Sequence, residues 1–193
     1  MNLDRRTTWE GRHRGSPPGD PEPSLIELLP LLPRGTALDI AAGTGRNAIA
    51  LARAGWRVVA ADFSSPGMRM LANLAAREQL AISAMLVDLE TSFPFRPGSF
   101  DVILNVSYLD RDLVPLLKTA LRPGGALLFD TYLNDEGAEA GHGHLRNSRF
   151  TLGHYELRAL LSDLELIRYR EGLVVYPNGK RAWRGTALAR RSD

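Results

Sequence analysis

Short apolar runs and stretches of helical period take turns along the chain from residue 24 onward. Residues 36–41, Thr-Ala-Leu-Asp-Ile-Ala, form an apolar run bounded by glycines and predict a buried strand. Residues 45–54 place Ala48, Leu51 and Ala54 on one helical face and stop at Gly55. A second strand is predicted over 56–62. Ser64-Ser65-Pro66 then supplies an N-cap and a first-turn proline for a helix running to about Leu80. Further strands are expected over 81–88, 99–106 and 125–133. A helix from Arg111 to Arg122 is broken by Pro123-Gly124-Gly125, and another covers 154–163. The last two strands, 164–176 and 180–190, flank Pro177-Asn178-Gly179 and must pair antiparallel.

Ser24 is expected to cap a short apolar helix, Ser-Leu-Ile-Glu-Leu-Leu-Pro-Leu-Leu. Residues 1–23 read as irregular, with a Pro/Gly linker at 15–23, and 134–149 read as a loop containing Gly and His. Both segments are expected to be mobile until a ligand orders them. The five strand–helix alternations predict an α/β fold. It is a single Rossmann-like, doubly wound, mostly parallel seven-stranded sheet with an antiparallel C-terminal strand pair. The chain divides into an N-terminal segment, 1–23, and one domain, 24–193.

Composition narrows the chemistry. The absence of cysteine excludes a disulfide framework, a thiolate metal site and a cysteine nucleophile. No apolar run approaches the length of a membrane span, and the N-terminus has no apolar signal core, so a cytoplasmic bacterial protein is expected. Net charge is +2 and only Lys118 and Lys180 among the cations are lysine. Excess positive charge gathers at residues 180–193, where it attracts anions or simply keeps a strand edge solvated.

In such sheets ligands bind beyond the carboxyl ends of the strands, where strand order reverses. Those ends carry Asp39 followed by Ala41-Ala42-Gly43-Thr44-Gly45, then Asp62, Asp88, Asn105 and Thr131-Tyr132. A carboxylate suits adjacent ribose hydroxyls, for which Asp62 stands ready, or an exocyclic amine, for which Asp88 does. Gly43 and Gly45 permit close backbone approach and open a helix. Gly43 to Ala48 also fits the dinucleotide fingerprint, so a nicotinamide-dependent reductase is an alternative. Asp39, four residues before the first glycine, and the terminal antiparallel pair argue against it.

These segments, Ala-Leu-Asp-Ile-Ala-Ala-Gly-Thr-Gly-Arg-Asn, Val-Val-Ala-Ala-Asp-Phe-Ser, Leu-Val-Asp-Leu-Glu and Leu-Arg-Pro-Gly-Gly-Ala-Leu-Leu-Phe-Asp, come in an ordered set. The chain resembles class I S-adenosylmethionine-dependent methyltransferases, and within them the small bacterial tellurite-resistance branch. Features shared with that branch include Trp9, Gly45-Arg46-Asn47 and Tyr108-Leu109-Asp110-Arg111. The resemblance implies S-adenosylmethionine as cofactor and S-adenosylhomocysteine as product. It implies that Asp39, Ala41, Gly43, Gly45 and Asn47 belong to the cradle for the methionine part. Asp62 and Phe63 would serve ribose and adenine, Asp88 and Leu89 the adenine, and Asn105 and Val106 the sulfonium wall. Trp9 and Arg12 would cover the cofactor. Ala41 stands where the family carries glycine. The terminal strand pair reads Leu173-Val174-Val175-Tyr176 and lacks a histidine that some tellurite-branch members carry, which argues against tellurite as substrate.

Tyr108, Arg111 and Tyr132 are the candidates for the acceptor side. Arg111, with Arg146 and Arg149, either clamps an anionic substrate or forms surface ion pairs. The tyrosines either position substrate or pack against the core. Asn105-Val106-Ser107-Tyr108 has the spacing of a nucleic-acid amino-methyltransferase motif but lacks its prolines. His142-Gly143-His144 with Glu136 and Glu139 is read as a solvated loop, and no metal is predicted. No His or Glu stands at a strand end to act as base, which favours an acceptor already nucleophilic. The expected function is methyl transfer to a small molecule by in-line displacement. Nucleic acid is an unlikely partner, no membrane is involved, and the chain is a monomer or homodimer. A nucleic-acid or protein methyltransferase and a non-catalytic cofactor-binding module are the remaining alternatives.

Overall fold

A computed structural model describes residues 3–134 and 149–192, with side chains from Thr7 onward. In chain order the elements are α1 (Leu3–His13), α2 (Pro23–Leu28), a 3-10 turn (Leu29–Leu31), β1 (Thr36–Ile40), α3 (Arg46–Arg53), β2 (Arg57–Asp62), α4 (Ser65–Glu78) and β3 (Ile82–Leu86). There follow β4 (Phe100–Val106), α5 (Val114–Ala120), β5 (Leu121–Tyr132), α6 (Glu156–Leu160), β6 (Glu165–Val175) and β7 (Arg181–Arg190). The seven strands lie in one sheet, in the order β3-β2-β1-β4-β5-β7-β6. The first five run parallel, and β7 pairs antiparallel with both β5 and β6. Strand order reverses between β1 and β4, where Ile40 is registered with Asn105.

The central strands are apolar on both faces because helices cover both. Val102, Ile103 and Leu104 of β4 are all fully buried. One core gathers Leu38, Ile40 and Ile103 against Val114, Leu117 and Leu157, on the side of α5 and α6. The other joins Ala37, Val102 and Leu104 to Leu25, Ala48 and Leu71, on the side of α2, α3 and α4. Ser64 caps α4 by accepting from the Gly67 N–H at 3.3 Å, as its sequence predicts.

Several expectations are corrected. Residues 3–13 are helical rather than irregular, because the prolines and most of the glycines of this region lie beyond them. Trp9 stacks on His13 one turn later, at 5.7 Å between ring centroids, and Arg12 lies 4.7 Å over the Trp9 ring. The α2 cap is Glu22, not Ser24, which is buried inside the helix. Helix α5 ends at Ala120, and Leu121 and Arg122 already belong to β5. The helix expected over 154–163 shortens to Glu156–Leu160. The proposed His142, His144, Glu136 and Glu139 cluster, and Arg146, lie outside the described residues.

Candidate active site

Strand β1 delivers Asp39 to the face of α3, where the carboxylate is 1% exposed. The Ala48 N–H bonds to it, while its Oδ2 is buried with no partner. Burial raises its pKa from the usual 3.8 to about 7; the Ala48 N–H and the Arg46 charge pull it down, and Asp62 pushes it up. Past β1 the chain turns sharply. Ala41 is left-handed at φ +49°, Gly43 at +59° and Gly45 at +87°. A Cβ on Gly45 would stand 2.4 Å from Leu71, so that glycine answers both to conformation and to space.

Strand β2 ends in Asp62, which binds the turn to itself. Its Oδ2 accepts from Gly43 N–H at 2.8 Å and its Oδ1 from Ser64 N–H at 2.7 Å. Half-buried Phe63 follows. Beyond β3, Asp88 is half-buried and accepts from Glu90 N–H at 3.1 Å; Leu89 packs against the core. At the end of β4, Asn105 is 1% exposed with its Oδ1 unpartnered, and Val106 is buried beside it on the other face. Thus two orphaned polar atoms, from Asp39 and Asn105, flank the point where strand order reverses.

Asn47 is engaged elsewhere: its amide oxygen accepts from Glu22 N–H at 2.9 Å and ties α3 to the start of α2. Arg111 is engaged as well. It forms an ion pair with Glu156 and donates to the Thr151 carbonyl at 3.1 Å. It thereby ties the β4–α5 loop to α6, with about a third of its side chain exposed. Tyr108 packs against the α5-side core. Tyr132 lines a cavity at the ends of β4 and β5, beneath Arg184 at 4.3 Å.

Two residues are missing from the sequence reading. His13, at the end of α1, sits over the glycine turn, its Nε2 3.2 Å from where a Gly43 Cβ would be. Burial holds it below the ordinary histidine value, against the pull of Asp62 and together with the nearby Arg12 charge. Glu22 is 2% exposed and lines the same cavity as Tyr132. It accepts from Arg46 at 2.7 Å and from Tyr176 Oη at 2.9 Å. A carboxylate embedded in a Pro-rich stretch gave no sign of this, and only its neighbour Asn47 hinted at a polar junction.

Residues 37–125 match the methyltransferase domain family. A protein of Eikenella corrodens named Hemagglutinin 1 is 29% identical over 143 residues, 70% of this chain and 46% of that protein. Cypemycin N-terminal methyltransferase of a Streptomyces species is 34% identical over 128 residues, covering 61% of this chain and 50% of its own. The chain thus spans about half the length of the curated relatives it matches. The structure of TehB from Haemophilus influenzae superposes with a TM-score of 0.76 at 21% identity, over 89% of this chain and 62% of that one. Among the described residues no helix is long and apolar enough to cross a membrane. Residues 37–125, a little under half of the chain, thus resemble a methyltransferase domain, and the fold around them is shared with solved structures of TehB and of S-adenosylmethionine-dependent methyltransferases.

Proposed function

We propose that the chain binds S-adenosylmethionine beyond β1 to β4 and passes its methyl group to a small-molecule acceptor. The observation that carries this reading is the pair of orphaned atoms, Asp39 Oδ2 and Asn105 Oδ1, beside a turn in which two glycines take left-handed conformations. Buried polar atoms without partners are costly and call for a ligand that satisfies them. Bound there, the cofactor supplies an electrophilic methyl on a sulfonium. Asp39 meets a cationic part of it, and Asp62 keeps lone pairs for hydroxyls beyond the two it gives to backbone N–H groups. Asp88 faces the adenine end. Trp9, Arg12 and His13 form a cover carried by α1, and Asn47 supports the cradle from behind by holding Glu22.

With a sulfonium leaving group, alignment contributes more than proton transfer. Ser107, Tyr132 and Glu22 line the cavity next to the cradle and would orient the acceptor. A second reading, methylation of a peptide's N-terminal amine, is supported by the likeness to the cypemycin enzyme. The decisive experiment is calorimetric titration of the wild type and Asp62→Ala with S-adenosylmethionine, S-adenosylhomocysteine and NADH. Binding of the first two, weakened at least roughly tenfold in the variant through loss of one charge-assisted contact, is expected. Binding of NADH alone overturns the reading. An assay with small thiols and short peptides then separates the two acceptor classes.

A further inference from the structure

The two edges of the sheet are finished differently. Strand β6 guards its free edge in the usual ways: it carries Glu165, Arg168, Arg170 and Glu171, and its register shifts between Leu166 and Arg168. Strand β3, at the other edge, has none of these devices. From Leu80 to Val87 the chain holds no charged residue and no proline, and its pairing with β2 is regular from Ile82 to Leu86. Ser83, Met85 and Leu86 are exposed, Leu86 at 55%.

The phase of the ladder decides which backbone groups face outward. The Ala81 carbonyl accepts from Val58 N–H at 2.8 Å, and the Val87 N–H donates to the Asp62 carbonyl at 3.0 Å. Parallel pairing in that phase spends the N–H and C=O groups of Ser83 and Met85 on β2 and turns those of Ile82, Ala84 and Leu86 away from it. The Ile82 N–H is used locally, on the Leu80 carbonyl at 2.8 Å. The Ile82 carbonyl and both groups of Ala84 and of Leu86 have no partner among the described residues.

Such an edge complements itself. Set antiparallel about a two-fold axis at Ala84, two copies exchange both Ala84 hydrogen bonds, and each Leu86 N–H meets the Ile82 carbonyl of the other copy. Ala84 is the middle of the strand, so this centre aligns its full length; a centre one residue on would set Asp88 opposite Ile82. The side chains agree. Ser83 faces Met85 of the second copy, and Ile82, which packs on the α4-side core, faces the exposed Leu86. No charge is buried by the pairing.

We infer that β3 is a dimer joint, at which a second copy of this chain pairs antiparallel through residues 82–86 and continues the sheet. The joint is short, so the dimer comes apart on dilution. It is independent of the cofactor site, and its failure leaves the methyltransferase reading intact.

The test is analytical ultracentrifugation of the full chain from about 1 μM to about 1 mM, with Ser83→Lys alongside. The wild type is expected to pass from monomer to dimer, and the lysine on the strand edge to raise the midpoint about tenfold or more. Because the chain has no cysteine, the register is read independently by oxidising Ser83→Cys and Met85→Cys, separately and mixed. Directly facing residues of this kind lie about 4.5 Å apart at Cα, within disulfide reach, whereas each residue and its own copy lie beyond it. The mixture should therefore yield the mixed dimer, and neither variant alone should cross-link comparably. A wild type that stays monomeric to the top of the range overturns the inference. So does a dimer indifferent to Ser83→Lys, which uses another surface. So does cross-linking of either cysteine variant alone as readily as the mixture, which uses another register.

Discussion

Asp39 carries a charge in a place that resists it. With its carboxyl raised to about 7 by burial, the free protein at lower pH holds a proton there. A cation seated against its free oxygen needs the ionised form, so binding must first release that proton. Affinity for S-adenosylmethionine should therefore be highest above pH 7 and fall by up to about tenfold per unit below it. Calorimetry across that range checks this, and Asp39→Asn should flatten the profile, lowering affinity above pH 7 and converging with the wild type well below it. Ala41 presents the opposite case, a residue wrong for its conformation. A left-handed alanine costs roughly 1–2 kcal/mol, of which glycine's extra chain entropy would give back about 0.5–1. Ala41→Gly should then stabilise the protein by up to about 1 kcal/mol in urea unfolding; a loss would mean that the methyl packs usefully.

At the scale of elements, strand ends were legible and connections were not. An apolar run of five or six residues can hardly slide, so Asp39, Asp62 and Asn105 fell where their strands put them. Conformation at Ala41 left no trace, because nothing in an alanine announces a positive φ. Helix α1 was hidden by the linker that follows it, although Trp9, Arg12 and His13 have the spacing of one helical face. Arg111 could be read either way from sequence, since both a clamp and a staple need an arginine near a loop. In the structure it bonds to Glu156 and to two carbonyls. Both partners are about one-third exposed, so the pair is worth little beyond its hydrogen bonds. Arg111→Ala should cost about 1 kcal/mol in unfolding and leave cofactor affinity unchanged. Turnover lost at full stability would return Arg111 to the acceptor side.

The whole molecule is tied together by one buried polar junction. Asp130 on β5 meets Arg184 and Thr186 on β7, and Arg184 reaches Ser107 after β4 and approaches Glu22 before α2. Burial would strip the guanidinium of its proton, but the charges of Asp130 and Glu22 more than reverse this and hold it above the ordinary arginine value. Removing one partner leaves the other charged and unpaired in the interior. Asp130→Ala should thus cost about 3–5 kcal/mol in chemical denaturation, far more than any surface pair. The pattern of apolar runs foretold the strands of this junction, and the Pro177-Asn178-Gly179 turn foretold the antiparallel pairing of β6 with β7. It could not show that β7 lies between β5 and β6, because hydrophobicity records which strands are buried but not who their neighbours are.

That order has a consequence for how the molecule comes into being. Strand β7 enters the sheet between two strands synthesised before it, and β6 has no other partner. Until residues 181–190 emerge, the apolar edge of β5 stays bare and Asp130 waits without its arginine. The glycine turn and Asp62 depend only on β1 to β4 and can assemble earlier. A nascent chain can therefore form the half that carries the glycine turn first, with an exposed strand edge that invites mispairing. The long-range closure by β7 then comes as the slow step.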